Sequence, residues 1–540
     1  MVTAKVAIRS AVTSVRDSSV DEDESKSRRY KVLVALTGLS SAKRRYSIDK
    51  LRSFQNYRLT VSWWRVAGVI LFMPLPSLVC ASFLSLIPLQ DPHDRITENP
   101  GFIVHVTILL WFSAIGSILH PRAALGFSNS DYSFLEVLTV STITAVLTGA
   151  LIVLIGHLWR FPIPFMIAVI FTPWSMILSA AHIVVLRDRL TKSEKLRGPA
   201  MAVQPWLTVQ NSQILIYPAI SAAFDAVNKT HQVLLMLLFP IVKFILKRIL
   251  RRMGKVFRHD FMDEMAISSV EISACLYQSM VMQSSPSTAA AAIIIAVDVI
   301  QGLLAIKLFL EKPSFVPHDR IVPHAFGALD HYSIQEDDLV GLSQRETDQS
   351  SRTKTRKVVN SILKATGQVG ESSIAPLEIV AAIQSTSSTT LNKAASITLV
   401  WQALHIAQAA ETILLVEYFE VAIPIVNAAF FALASQLPSA RYHKKLWPVH
   451  GDASAVWLAL QSPLLYVLLQ GVTVVAMMLV MRFRYNLSAA KFLAFVLERH
   501  AWSLQGKLIG WLPVMLHFSL VHYGVDFSFR FNVDTMMPPP

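Results

Sequence analysis

Residues 134–186 read FLEVLTVSTITAVLTGALIVLIGHLWRFPIPFMIAVIFTPWSMILSAAHIVVL. Two apolar blocks, 134–157 and 161–186, are separated only by the residues around Trp159 and Arg160. A helix needs about 20 consecutive apolar residues to cross the roughly 30 Å hydrocarbon core of a bilayer. Both blocks reach that length, and in lipid a helix satisfies all its backbone groups internally. The stretch therefore predicts a tight hairpin of two transmembrane helices.

Similar blocks flank it, at 66–89, 102–119, 265–283, 288–310, 397–416, 421–437, 457–481 and 508–523. Two shorter ones, 214–227 and 231–250, predict a hairpin of tilted spans or a re-entrant loop. The expected fold class is an all-α polytopic membrane helix bundle of about 10–12 transmembrane helices. Pro74 and Pro76 predict a kink in the first span, with neighbouring helices re-satisfying the freed carbonyls. Of 540 residues, 53% are hydrophobic and 16% charged, against about 25% charged in soluble domains.

The net charge of +13 is concentrated in the N-terminal tail and in short loops, which argues against nucleic-acid binding. Residues 1–65 form a basic, partly disordered cytoplasmic tail ending in a helix over 51–64 on the membrane surface, with Trp63 and Trp64 at headgroup depth. An N-terminal block (66–310) follows, then a polar cytoplasmic loop (311–395, with helical pieces at 357–366 and 376–384), a C-terminal block (396–525) and a tail (526–540). RDRLTKSEKLR (187–197) and KRILRRMGKVFR (247–258) fall on the cytoplasmic side by this count. RYHKK (441–445) and RFRYNLSAAK (482–491) are both basic yet lie on opposite sides of one span, so the rule strains there. Of two sequons, Asn228 falls at the outer turn of a hairpin, too close to the membrane for modification, and Asn486 lies in the disputed loop, where glycosylation would report its side. No internal repeat is evident.

FMPLPSLVCASFLSLIPLQDP (72–92), QILIYPAISAAF (213–224), MAISSVEISACLYQSMVMQS (265–284), LLVEYFEVAIPIV (414–426), FVLERHAWSLQGKL (495–508) and GVDFSFRF (524–531) occur together in this chain. In them it resembles a large group of multipass membrane proteins of oomycetes such as Phytophthora, over most of the chain outside the tail and the 311–393 loop. The resemblance implies architecture and source, and brings no catalytic residues to carry over.

Charged side chains within spans are costly and usually face the bundle interior or a water-filled path. Asp225, Glu271, Asp298 and Glu411 are the candidates for an ion or solute path. Glu264, Glu271 and Gln278 share one helical face, as an interhelical seam or a path. Asp298 sits mid-span and should be protonated unless paired. Asp225 follows a short, proline-interrupted segment, which marks a binding site or an ordinary hairpin end. His405, Gln408 and Glu411 form a stripe suited to proton relay or to helix–helix glue. Glu417 and Glu420 are placed at the interface.

Lys243, Lys247, Arg248, Arg251 and Arg252 could attract anionic lipids or simply set topology. No metal-ligand spacing joins His157, His182, His517 and His522, and Cys80 and Cys275 make no CxxC pair. P-loop, dinucleotide and hydrolase motifs are absent, so no catalytic residues, cofactor or metal are assigned. The functional expectation is a secondary transporter or ion-conducting protein. The alternative is a membrane scaffold whose tail and loop bind partners; a membrane enzyme ranks third.

Overall fold

The hairpin at 134–186 forms as two helices. In a computed structural model, α5 (Phe134–Leu158) and α6 (Met166–Lys192) pack side by side. Ser133 and Glu136 start α5 with a reciprocal capping box. Arg189 of α6 reaches back to Glu136 at 2.9 Å and closes the open end of the pair.

The structure describes residues 46–192, 205–228, 232, 235, 238–254, 259–284, 288–310, 318–331, 334–335, 388–527 and 529–536. Before the hairpin come α1 (Ile48–Thr60), α2 (Trp63–Phe72), α3 (Leu75–Leu86) and α4 (Pro100–Leu125). After it come α7 (Gln213–Ala226), α8 (Leu238–Met253), α9 (His259–Ser284), α10 (Thr288–Leu310) and α11 (His318–His331). The chain closes with α12 (Ser388–Ala434), α13 (Ala453–Tyr485), α14 (Ala489–Arg499), α15 (Ala501–Leu516) and α16 (Val533–Met536). No strand occurs among the described residues.

Among the described residues, six helical stretches are long and apolar enough to cross a membrane: Trp63–Leu86, Pro100–Ala123, Phe134–Leu158, Met166–Arg189, Ser396–Ala434 and Ala453–Tyr485. Their outward faces carry exposed Leu147, Leu154, Val184, Leu468 and Val472, as lipid-facing helices do. The protein is thus an all-helical membrane protein.

The proline break falls where the sequence puts it, between α2 and α3. Pro74 has no N–H to give the Ile70 carbonyl, and the Tyr418 hydroxyl of α12 donates to it instead at 3.0 Å. Gln505 of α15 donates to the Met73 carbonyl at 2.6 Å. Tyr418 thereby satisfies the carbonyl that Pro74 leaves open, and Gln505 ties a second neighbouring helix to the break.

Three expectations need correction. Residues 397–416 and 421–437 are not two spans but parts of one continuous helix, α12, of 47 residues. The bundle covers Glu417 and Glu420 on all sides, so no interfacial turn is needed there. Second, the surface helix expected over 51–64 ends at Thr60 and packs onto protein, with Lys50, Leu51 and Phe54 buried. Phe54 meets Phe492 edge-on at 4.7 Å. Trp63 and Trp64 instead open α2 and stay exposed. Third, the polar loop contains a packed helix, α11, which buries Ile321, Val322, Ala325, Phe326 and Leu329. The pieces expected at 357–366 and 376–384 lie outside the described residues.

Contacts between ends orient the chain. Arg65 at the start of α2 pairs with Glu498 at the end of α14. Tyr485, at the end of α13, meets Phe309 and His318. This is the N-end of the bundle. At the other, C-end, His517 after α15 meets Ser85 of α3 at 3.0 Å. Residues 482–491 therefore share the N-end with α1, and RYHKK lies at the C-end. There Arg441 donates to the Leu89 carbonyl, Lys444 to the Val525 carbonyl and Lys445 to Ser221 Oγ. These cations bind loops together, so they say little about side.

At the C-end, His93 lies 2.7 Å from Asp91 and 2.9 Å from Asp534 of α16. Hydrogen bonds to Asp91 and then Asp534 raise the His93 pKa above its ordinary 6.5. A raised folded-state pKa stabilises below the unfolded value and loses that contribution as pH rises through the folded one. We therefore expect α16 to stay protected from hydrogen exchange at pH 6 and to exchange faster on the alkaline side. In Asp534→Asn that pH dependence should shrink; an unchanged profile contradicts the clamp.

A buried polar cluster between five helices

On α8, Lys243 and Lys247 are spaced by four and turn inward, only 4% and 9% exposed. The outer face of the same helix carries exposed Ile241, Ile245 and Ile249. Lys243 Nζ lies 2.8 Å from Glu271 Oε2 on α9 and 3.2 Å from Glu420 Oε1 on α12. Lys247 pairs with the other oxygen of Glu271. These two lysines, read as part of a basic cluster that attracts anionic lipids or sets topology, are committed to carboxylates inside the bundle; Arg248 and Arg252 do point outward.

The network continues across α13, where Tyr466, Gln470 and Thr473 recur on one face and are buried. Gln470 Nε2 donates to Glu420 Oε2 at 3.2 Å, and Thr473 Oγ1 to Glu417 Oε2 at 2.8 Å. The Tyr466 hydroxyl donates to Asp298 Oδ2 on α10 at 2.9 Å, and Gln278 Nε2 approaches the same oxygen at 3.4 Å. Gly302 makes room on α10: a Cβ there would lie 3.2 Å from Glu417 Oε1.

The charges do not balance. Lys243 and Lys247 face four carboxyl groups: Glu271, Asp298, Glu417 and Glu420. None of the four is more than 4% exposed. Among the described residues no cation forms an ion pair with Asp298 or Glu417. An uncompensated buried charge costs several kcal/mol, far more than one hydrogen bond returns. Two of the four carboxyl groups must therefore be neutralised, by protons or by a bound cation.

Two other buried clusters each pair a lysine with a carboxylate. Glu264 meets Lys507 at 3.4 Å, with Ser268, Ser503 and, through Ser503, His120 around them. Glu411 meets Lys50 at 2.7 Å, with His500 3.6 Å away. Glu411 is thus placed as the anchor that holds α1 on α12, apart from Glu271 and Asp298. Its stripe partner His405 packs against Trp401. The Asp225 side chain lies outside the described residues.

The seven-residue face of α9 is formed as read. Glu264, Glu271 and Gln278 are all buried, and each meets a different partner. Sequence reasoning missed Lys243, Lys247, Glu417, Glu420 and Lys507. The signal for the first two was their four-residue spacing on a strongly amphipathic helix. For the glutamates it was two acids three apart within the apolar run LLVEYFEVAIPIV.

Glu271, Cys275 and Glu420 place three potential ligand atoms within 4.8 Å of one another. The Lys243 ammonium touches both carboxylates and already supplies positive charge there. The histidines gathered at the C-end are committed to protein groups: His105 to the Leu84 carbonyl and Tyr523, His443 to the Leu516 carbonyl, His517 to Ser85, and His522 to the Gln90 carbonyl.

No family model, curated protein or solved structure matches the chain.

Proposed function

We propose that the protein is a secondary transporter or ion-conducting protein whose coupling site is the cluster of Lys243, Glu271, Asp298, Glu417 and Glu420. One observation carries this reading: two lysines face four carboxyl groups, all buried, at the meeting of α8, α9, α10, α12 and α13. A purely structural ion-pair network gains nothing from surplus carboxyl groups, because each must be neutralised at a desolvation cost. A site that binds and releases a proton or cation requires them.

The residues divide by partner. Glu271 is held by two lysines and acts as the fixed counter-ion. Asp298 and Glu417 are held only by neutral donors, Tyr466, Gln278 and Thr473, so they are the exchangeable groups. Gln470 joins Glu420 to Tyr466 and so links the two halves.

The bundle runs the chain alternately between its ends, and we place the N-end, with the basic tail and Arg482 and Arg484, in the cytoplasm. Asn486 then stays unglycosylated. The oomycete resemblance fits this architecture and adds no activity to it.

The test is flux into vesicles holding the purified protein, under an imposed pH or cation gradient. Asp298→Asn with Glu417→Gln keeps shape and hydrogen-bonding capacity while removing the surplus. We expect its flux to fall to that of protein-free vesicles, with a thermal midpoint close to the parent's. Parental flux in the folded double variant sinks the assignment.

A further inference from the structure

A second feature lies on the far side of α15 from the charged cluster. α6 packs on α5 and α7 packs on α9, but α6 and α7 share no extended contact with each other. Between them, floored by α4 and α15, is a half-open cleft with a cavity volume of roughly 70 Å³. Its walls are almost wholly apolar, with Leu110, Ile167, Ile170, Phe171 and Ile214 facing the space. Gly510 forms part of the floor.

Five polar side chains interrupt this surface, Ser113, Ser117, Trp174, Asn211 and Tyr523; Ser113 is bonded to the Leu109 and Gly510 carbonyls and Tyr523 to His105. Trp174 lines the cleft and is 6% exposed, yet its indole Nε1 has no hydrogen-bond partner. Asn211, also 6% exposed, lines it too. A buried N–H without an acceptor is costly, and buried Trp N–H groups normally find one. Trp174 lies eight residues into α6, about 12 Å along the helix axis from Met166, deep in the apolar layer. An acceptor at that depth cannot come from a charged headgroup.

We propose that this cleft binds a neutral lipid, with a hydrocarbon body against the apolar walls and one carbonyl or hydroxyl oxygen accepting from Trp174 Nε1. Small-molecule sites have this composition: mostly apolar walls with a few placed polar groups that fix orientation. The ligand enters sideways from the bilayer between α6 and α7. The site stands independently of the transport reading, since it shares no residue with the charged cluster.

The test uses full-length protein in vesicles containing trace photoactivatable diacylglycerol, photoactivatable sterol or, for comparison, photoactivatable phosphatidylcholine. Adducts are mapped by mass spectrometry. Leu468 and Val472 on the exposed face of α13 report ordinary bilayer contact in the same sample. We expect one of the two neutral probes to label 166–174 and 211–214 saturably, while α13 labelling stays proportional to probe. Trp174→Phe should weaken cleft labelling about fivefold, the affinity that one neutral hydrogen bond carries. Ile167→Trp should block it. If cleft and α13 adducts rise in parallel for all three probes, or neither neutral probe labels the cleft, the proposal is wrong. That outcome rests on the parent protein alone and leaves the flux test untouched.

Discussion

Lys243→Met should destabilise the protein by about 3–5 kcal/mol, the usual cost of removing one partner from a buried ion pair. Lys243 is the only residue shown to touch both Glu271 and Glu420. Without it, Glu271 keeps Lys247, but Glu420 keeps only the Gln470 amide. Methionine retains most of the side-chain volume, so the loss reports charge rather than a cavity. Adding Glu420→Gln removes the orphaned acid, and the double variant should recover a good part of the loss. Thermal unfolding in detergent measures both. If Lys243→Met alone leaves the midpoint unchanged, the lysine does not hold the cluster together. If the second substitution makes matters worse, Glu420 was not the orphan.

Gly116→Ala should be nearly as damaging for an unrelated reason. α4 and α15 cross so closely that a Cβ on Gly116 would lie 2.2 Å from the Gly506 carbonyl oxygen and 2.6 Å from Gly510 Cα. Both are backbone atoms, so the helices must separate. Helix propensity alone favours alanine by about 1 kcal/mol. Overpacking costs about 1–3 kcal/mol and more when backbone must move. The clash wins, and we expect a net loss of about 2 kcal/mol or more. Gly471→Ala on α13 is the matched control, because nothing lies within 4 Å of its added Cβ. It should be neutral or slightly stabilising. Equal effects at the two positions contradict the close crossing.

These two sites show why only part of the molecule was legible from sequence. The hairpin at 134–186, the proline break and the polar face of α9 are local patterns, set by length, by a missing N–H and by periodicity. The pairing of Lys243 with Glu420 joins residues 177 apart, and nothing in either local stretch names the other. Lys243 and Lys247 read as part of a basic run that continues to Arg252. Only the direction of the face separates the two buried lysines from the exposed arginines. Glu417 and Glu420 looked like a break because acids in an apolar run usually end a span. In α12 they lie inside one because α10 and α13 supply Gly302, Thr473 and Gln470 around them. Asp298 was found by its mid-span position and Glu271 by the seven-residue face of α9, and neither signal could say that they share a network, nor that Glu411 belongs to a separate pair.

The charge count also separates the roles of the three buried clusters, a distinction that burial and hydrogen bonding alone do not make. Lys507 with Glu264, and Lys50 with Glu411, pair a lysine with a carboxylate and fasten helices together. Among the described residues, the central cluster carries more acid than base.

The central claim is that two of these four carboxyl groups are neutralised, and in membranes prepared without added metal cations the neutralising species is an exchangeable proton. Infrared spectroscopy of the protein in membranes at neutral pH tests it directly, through the carbonyl stretch of un-ionised carboxylic acid. The account predicts such a band, shifted by deuterium exchange, reduced in Asp298→Asn and in Glu417→Gln, and lost in the double variant. A folded parent protein without that band at neutral pH, or with a band that both substitutions leave intact, would contradict it.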